Sequence, residues 1–177
     1  TVTRAEFLKM AMDSFGIGGH AYRDGECLDA TNDDWYCYYL QGALDKNIIP
    51  KEMIENCNVT KVTKTLAEAT DDKEAVTTDV NVYTGKFDGD KPITREEMAA
   101  IAVRCKNYKM RRLTDWDNER RYPIFSFKDS DEIDEKYISD VVKAYNLNYI
   151  DGMEDGRFAP KENLTRAQAA VVMNNLK

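Results

Sequence analysis

Val2-Thr3-Arg4-Ala5-Glu6-Phe7, Ile93-Thr94-Arg95-Glu96-Glu97-Met98 and Leu164-Thr165-Arg166-Ala167-Gln168-Ala169 are three versions of one pattern. Each reads apolar, Thr, Arg, Ala or Glu, Glu or Gln, apolar. Helix physics accounts for most of it. Thr3, Thr94 and Thr165 are N-cap residues, and the Glu or Gln three positions later completes a capping box. The apolar residue before each cap can staple onto the fourth helical position, Val2 on Phe7, Ile93 on Met98 and Leu164 on Ala169. Apolar helices follow: Phe7 to Phe15, Met98 to Val103 and Ala169 to Leu176. Their apolar faces are too broad for helices lying alone on water, so the expectation is that the three pack together as a central three-helix bundle.

A second unit precedes the later caps. Phe127-Lys128-Asp129 leads to a helical stretch from Tyr137 to Asn148, then to Gly152, Asp155-Gly156-Arg157-Phe158 and Pro160. Earlier in the chain, Tyr22-Arg23-Asp24 leads to Asp33-Asp34-Trp35 and a helix to about Lys46, then Ile48-Ile49. Without gaps, Trp35 aligns with Tyr137 and Ile48 with Ile150. Gly85-Lys86-Phe87 matches Gly156-Arg157-Phe158. The spacings divide the chain into 1–17, a cap helix of an incomplete repeat; 22–108, a repeat carrying an insert at 50–84; and 126–177, a repeat preceded by a basic insert at 106–123. In the first insert, Val59 to Thr63 and Thr78 to Tyr83 alternate with period two, as a β-ribbon would. Repeats at such spacing imply units that bury their apolar faces on one another.

Composition narrows the chemistry. The 177 residues hold 25 Lys+Arg against 32 Asp+Glu, a net charge of −7. An acidic chain lacks the basic surface that non-specific nucleic-acid binding requires. The single histidine, His20, excludes every two-histidine metal site, and Cys27, Cys37, Cys57 and Cys105 form no C-x-x-C pair, so no metal or cofactor is expected. The four cysteines allow three disulfide pairings or free thiols. No stretch reaches the roughly 20 apolar residues of a membrane span. No motif singles out a pair of catalytic carboxylates, so no enzymatic activity is expected of the chain.

Phe127-Lys128-Asp129, Tyr137, Gly152, Asp155-Gly156, Phe158, Pro160 and Thr165-Arg166-Ala167-Gln168 together resemble the S-layer homology domain. The resemblance covers everything except the two inserts. It implies a mainly α fold, three repeats in a pseudo-threefold spindle with cap helices at the centre and shorter helices on prongs. It implies a role as well: non-covalent attachment of a bacterial surface protein to the cell wall outside the cell, through a pyruvylated secondary polysaccharide or through peptidoglycan. The alternative is a structural module that self-associates in a surface layer, with the inserts making protein contacts.

For the site, the resemblance carries over to Arg4, Arg95 and Arg166, each beside its cap Thr3, Thr94 or Thr165. Chemistry supports the choice independently. A pyruvyl ketal presents a carboxylate, which guanidinium meets with two charge-assisted hydrogen bonds, and a helix N-terminus favours an anion. Arginine at the first helical position is otherwise mildly unfavourable. Two readings remain: contact with the ligand, or a salt bridge to an acidic residue of the neighbouring repeat. Gly152, Asp155, Gly156, Thr165 and Arg166 are expected to share one groove. Trp35, with Tyr36, Tyr38 and Tyr39, could stack on a sugar ring, although the helical spacing favours packing of Trp35 into its prong. Two departures from the family pattern are Gln168 in place of Glu and Glu96 in place of Ala.

Overall fold

The computed structural model describes residues 1–19, 27–31, 33–67, 74–110 and 127–176. Tyr22-Arg23-Asp24, His20 and most of the basic insert, with Arg111, Arg112, Arg120 and Arg121, lie outside the described residues. In chain order the described elements are α1 (Arg4–Ser14), α2 (Cys37–Asp45), β1 (Glu55–Ala67), β2 (Val76–Lys86), α3 (Arg95–Met110), α4 (Glu135–Asn146) and α5 (Arg166–Asn175). Short 3-10 turns sit at Lys51–Met53 and Ser130–Glu132. No helix among them is long and apolar enough to cross a membrane.

Helices thus share the chain with a long antiparallel sheet, and the fold is mixed α/β rather than mainly α. β1 has 13 residues and β2 has 11, paired from Glu55↔Lys86 to Ala67↔Val76. β-Branched Thr and Val at alternating positions suit that pleated surface. Lys61 and Thr63 on β1 both hold Asp79 on β2, at 2.9 and 2.7 Å.

The expected central three-helix bundle is also corrected. α3 is buried from Arg95 through Val103 and again at Cys105, and it lies chiefly along α4, while α1 meets α2, α3 and α5. A helix with apolar residues on every side has no single face to reserve for its sister caps. What joins the caps is a ring of backbone hydrogen bonds at their entrances. The Ile93 amide donates to the Val2 carbonyl (3.0 Å), Leu164 to Ile93 (2.9 Å), and Val2 to Leu164 (2.9 Å). Two caps are further seated on the turn that leads into the next cap. The Arg4 and Ala5 amides donate to Lys91 and Gly89 carbonyls (both 2.9 Å). Those of Arg95 and Glu96 donate to Glu162 (3.0 Å) and Pro160 (3.2 Å). These bonds satisfy amides that an α-helix leaves without partners at its start.

The prongs repeat with a register one residue from that read in the sequence. Tyr36, not Trp35, is the buried counterpart of Tyr137, and the next buried positions agree, Leu40 with Val141 and Ala43 with Ala144. Asn47 and Asn148 end the two prong helices with φ of 53° and 57°, a left-handed conformation that Asn tolerates. The following amides fold back alike, Ile48 to Ala43 (2.8 Å) and Tyr149 to Ala144 (2.9 Å). Asp129 receives the Phe158 and Ala159 amides at 2.8 and 2.7 Å. In the other prong Asp29 receives those of Phe87 and Asp88 at 2.7 and 2.9 Å. Asp29 therefore does for the first prong what Asp129 does for the second.

Candidate functional site

The three arginines at the first helical position have three different fates. Arg4 is buried and gives its Nη1 to the Phe87 carbonyl (2.6 Å), while Nε and Nη2 grip the Glu97 carboxylate, the Nε bond being 3.2 Å long. The salt-bridge reading holds for Arg4. Arg95, only 6% exposed, gives Nε to the Phe158 carbonyl (2.7 Å) and Nη2 to the Asp151 carbonyl (2.9 Å), with its guanidinium 5.1 Å from the Phe158 ring centre. No described carboxylate lies within ion-pair distance of it. Burial lowers its pKa, and Glu162, Asp129 and Asp151 act in the opposite direction from farther away. Arg166 is exposed, with Nη1 3.6 Å from Glu6 Oε1. Among the described residues, no carbonyl meets the amides of Arg166 and Ala167 as in the two sister caps.

Two cavities flank these side chains. One of about 280 Å³ is lined by Arg95, Met98, the loop from Tyr149 to Met153, and α5 residues including Ala167, Gln168 and Asn175. Its walls are mostly apolar, and its charged lining residues are Arg95 and, at the exposed rim, Asp151. The other, about 400 Å³, is bounded by Val2, Glu6, Lys9, Met10, Trp35, Arg166 and Ala170. Trp35 is 53% exposed there, not packed into its prong. The ring that packs is its neighbour Tyr36, which meets Trp35 edge-on at 5.6 Å. Lys9, paired with Asp13, also stands 4.9 Å from the Tyr39 ring.

The groove expected from Gly152, Asp155, Gly156 and Arg166 does not form as one site. Gly152 borders the Arg95 cavity, whereas Arg166 faces Trp35. A Cβ on Gly152 would sit 2.7 Å from Phe127 Cε1, so this glycine admits a ring against the backbone. Asp155 is exposed and engaged by Arg157, through Nε to Oδ2 at 2.7 Å and the amide to Oδ1 at 3.0 Å. Gly156 has φ of 85° and covers the Lys128 side chain. Thr165 is an N-cap, its hydroxyl accepting the Gln168 amide at 3.2 Å. Sequence reasoning had passed over Lys9, Met10 and Tyr149 as site residues. Lys9 and Met10 are half-buried at the border of the core face of α1, Met10 packing against the core and both edging the cavity.

Glu96 is likewise buried. Lys161 Nζ reaches its Oε1 at 2.7 Å and Asp134 Oδ1 at 2.6 Å, and the Asp134 amide donates to Glu96 Oε2 at 3.1 Å. This network ties the second cap to the second prong. Burial still holds the Glu96 carboxyl above the usual range, against the pull of Lys161.

Residues 126–170 match the family model of the S-layer homology domain. The chain carries an S-layer homology domain. The match takes in Asp129, α4, Gly152, Phe158 and the start of α5, the prong whose geometry is given above. Relatives extend the likeness over the other repeat. An amylopullulanase of Thermoanaerobacterium thermosulfurigenes is 32% identical across 99% of this chain, which covers 8% of that protein. Exoglucanase XynX of Acetivibrio thermocellus is 32% identical across 99%, covering 13% of its length. An endoglucanase of Bacillus sp. (strain KSM-635) is 38% identical over 55% of this chain and 10% of its own. This chain therefore spans roughly a tenth of the length of these relatives.

Proposed function

We propose that this chain is a non-covalent anchor, acting outside the cell to hold a surface protein on the bacterial wall by binding a carboxylate-bearing, pyruvylated secondary polysaccharide. The observation that carries the reading is Arg95, a buried guanidinium with no described carboxylate in ion-pair range, walling a cavity of about 280 Å³. A buried charge without a partner is costly, and a ligand carboxylate would supply the missing one. Tyr149, Met153 and Val171 offer apolar surface to the body of a sugar. Arg166, Lys9 and the exposed Trp35 form a second contact surface, where indole can stack on a pyranose ring and the cations meet the polymer's charge. Peptidoglycan is the other polymer to compare. The aligned stretch is a small part of the enzymes it resembles, which suits a module that carries an activity rather than performs one.

Sedimentation with purified sacculi tests this. Sacculi retaining their anionic polymer should hold the chain, and sacculi stripped of it should not. Equal retention on both, or on neither, refutes the polymer claim.

A second reading, self-association in a surface layer, draws on the ribbon. Val59, Val62 and Val76 are exposed on it, and β2 is met at Tyr83 by Cys27, so apolar side chains and the β1 edge are what it offers to a like partner. If a chain lacking residues 55–86 shows unchanged association by ultracentrifugation, that reading fails.

A further inference from the structure

The three caps pair in a cycle: the arginine at the first position of one helix faces the third-position residue of the next. Arg4 meets Glu97, and Arg166 lies 3.6 Å from Glu6. The remaining place belongs to Arg95, and the residue that shares its cavity is Gln168. At this one point of the cycle a neutral amide stands where the other two have a carboxylate.

Gln168 keeps every duty of the capping box. Its Oε1 accepts the Thr165 amide at 3.0 Å, as Glu97 Oε2 accepts that of Thr94 at 3.2 Å and Glu6 Oε2 that of Thr3 at 2.9 Å. Only the charge is absent. Nor do other carboxylates make up for it. Asp129 is held by the Phe158 and Ala159 amides, Glu162 lies 3.4 Å from Arg157, and Asp151, which also borders the cavity, meets Arg95 through its backbone carbonyl and not through its carboxylate. Of the five N–H donors of a guanidinium, Nε and one on Nη2 are used, and Nη1 meets no described protein acceptor.

We propose that Gln168 is the specificity-determining residue of this module. By leaving Arg95 without the carboxylate that its sisters receive from the neighbouring cap, it reserves that guanidinium for a carboxylate on the ligand. Among the described residues there would then be one enclosed carboxylate seat, at Arg95, while Arg4 is closed by Glu97. This rests on the anchoring function proposed above and specifies which residue makes the site selective.

The experiment uses the 4,6-pyruvyl ketal of a methyl hexopyranoside, with its methyl ester as the uncharged control, measured by calorimetry on the whole chain. The wild type should bind the acid and not the ester. Gln168→Glu can cap Thr165 and grip Arg95 together, as Glu97 does with Thr94 and Arg4. It should bind the acid at least tenfold more weakly while unfolding at the same or a higher urea concentration. Gln168→Met removes the capping oxygen and keeps the seat neutral, so it should lose stability but retain the acid. Undiminished binding by Gln168→Glu overturns the proposal, as does equal loss in both variants or no binding of the acid by the wild type. Sacculi separate this from the broader reading. If the wild type and Gln168→Glu are retained equally on polymer-bearing sacculi and neither on stripped ones, anchoring stands and the role of Gln168 falls.

Discussion

Replacing Glu97 by Gln asks of the second cap what nature has already done in the third. Arg4 and Glu97 are both 8% exposed at their side chains and bond through two guanidinium nitrogens. The amide oxygen introduced by Glu97→Gln could still accept the Thr94 amide, as Gln168 accepts that of Thr165, so the capping box should survive. The change removes one charge and leaves the other buried. Stranding one member of a buried pair costs about 3–5 kcal/mol. Arg4 keeps its Phe87 carbonyl at 2.6 Å and the neutral amide oxygen as an acceptor, which places the expected loss near the lower limit, about 3 kcal/mol. For a chain of this length that is a fall in Tm of about 6–12 °C. Urea unfolding followed by far-ultraviolet circular dichroism gives the free energy directly. The loss should persist at high salt, because buried pairs are little screened. Arg4→Met with Glu97→Gln removes both charges and should be no less stable than Glu97→Gln alone. A loss below about 1 kcal/mol for the single variant, or strict additivity of the two, would refute the claim that Arg4 is held by its counter-ion.

Other consequences are as direct. Asp129→Asn leaves one carbonyl oxygen where a carboxylate receives the Phe158 and Ala159 amides, and should cost about 1.5–3 kcal/mol in the same urea assay. Burial raises the Asp140 carboxyl above its ordinary 3.8, against the pull of Arg104 at 3.2 Å. The folded state thus holds that proton more tightly than the unfolded one, so the group's contribution to stability is complete below 3.8 and declines as pH rises through and above that value. The stability of the wild type relative to Asp140→Asn should therefore decrease from about pH 4 to about pH 7; an increase would contradict the burial argument. All four cysteines are free thiols, with Cys27 and Cys105 buried. Burial pushes Cys27 up to about 12 and Cys105 higher still, so a disulfide reagent at about pH 8 should modify the half-exposed Cys37 and Cys57 first and these two only after unfolding.

What could be read from the residues was whatever is decided within a few positions. Thr-x-x-Glu specifies a cap because donor and acceptor lie one helical turn apart, and the box forms at Thr3, Thr94 and Thr165 alike. The register of the first prong was missed because Trp35 and Tyr36 are adjacent aromatics at the start of a helix. Apolar periodicity cannot separate neighbours there, and burial chose Tyr36. Asp29 was missed for another reason. Cys27 and Leu28 stand where Phe127 and Lys128 do, so the aromatic that should mark the motif is absent, and Tyr22-Arg23-Asp24 drew the alignment upstream. The bundle failed on a distinction between face and partner. Periodicity says that α3 must be covered, but not that α4 will do the covering. The fates of the arginines were hidden by distance along the chain, since Arg4 is paired with Glu97, whereas Arg95 shares its cavity with the neutral Gln168.

That last separation bears on how an acidic chain could hold an acidic polymer. A net charge of −7 repels such a ligand, but between exposed charges the repulsion fades over about 8 Å at physiological salt. A guanidinium 6% exposed is little affected by the distant surface and acts through its own short contacts. If Arg95 seats the ligand as proposed, affinity turns on whether it is already neutralised, and the threefold plan would neutralise it by default, as it does Arg4. One atom type at the end of residue 168, nitrogen in place of oxygen, separates the two states. On the proposed reading, a repeat fold that closes its own arginines would gain selectivity by failing to close one, and the departure at Gln168 would then be more informative than the matches around it.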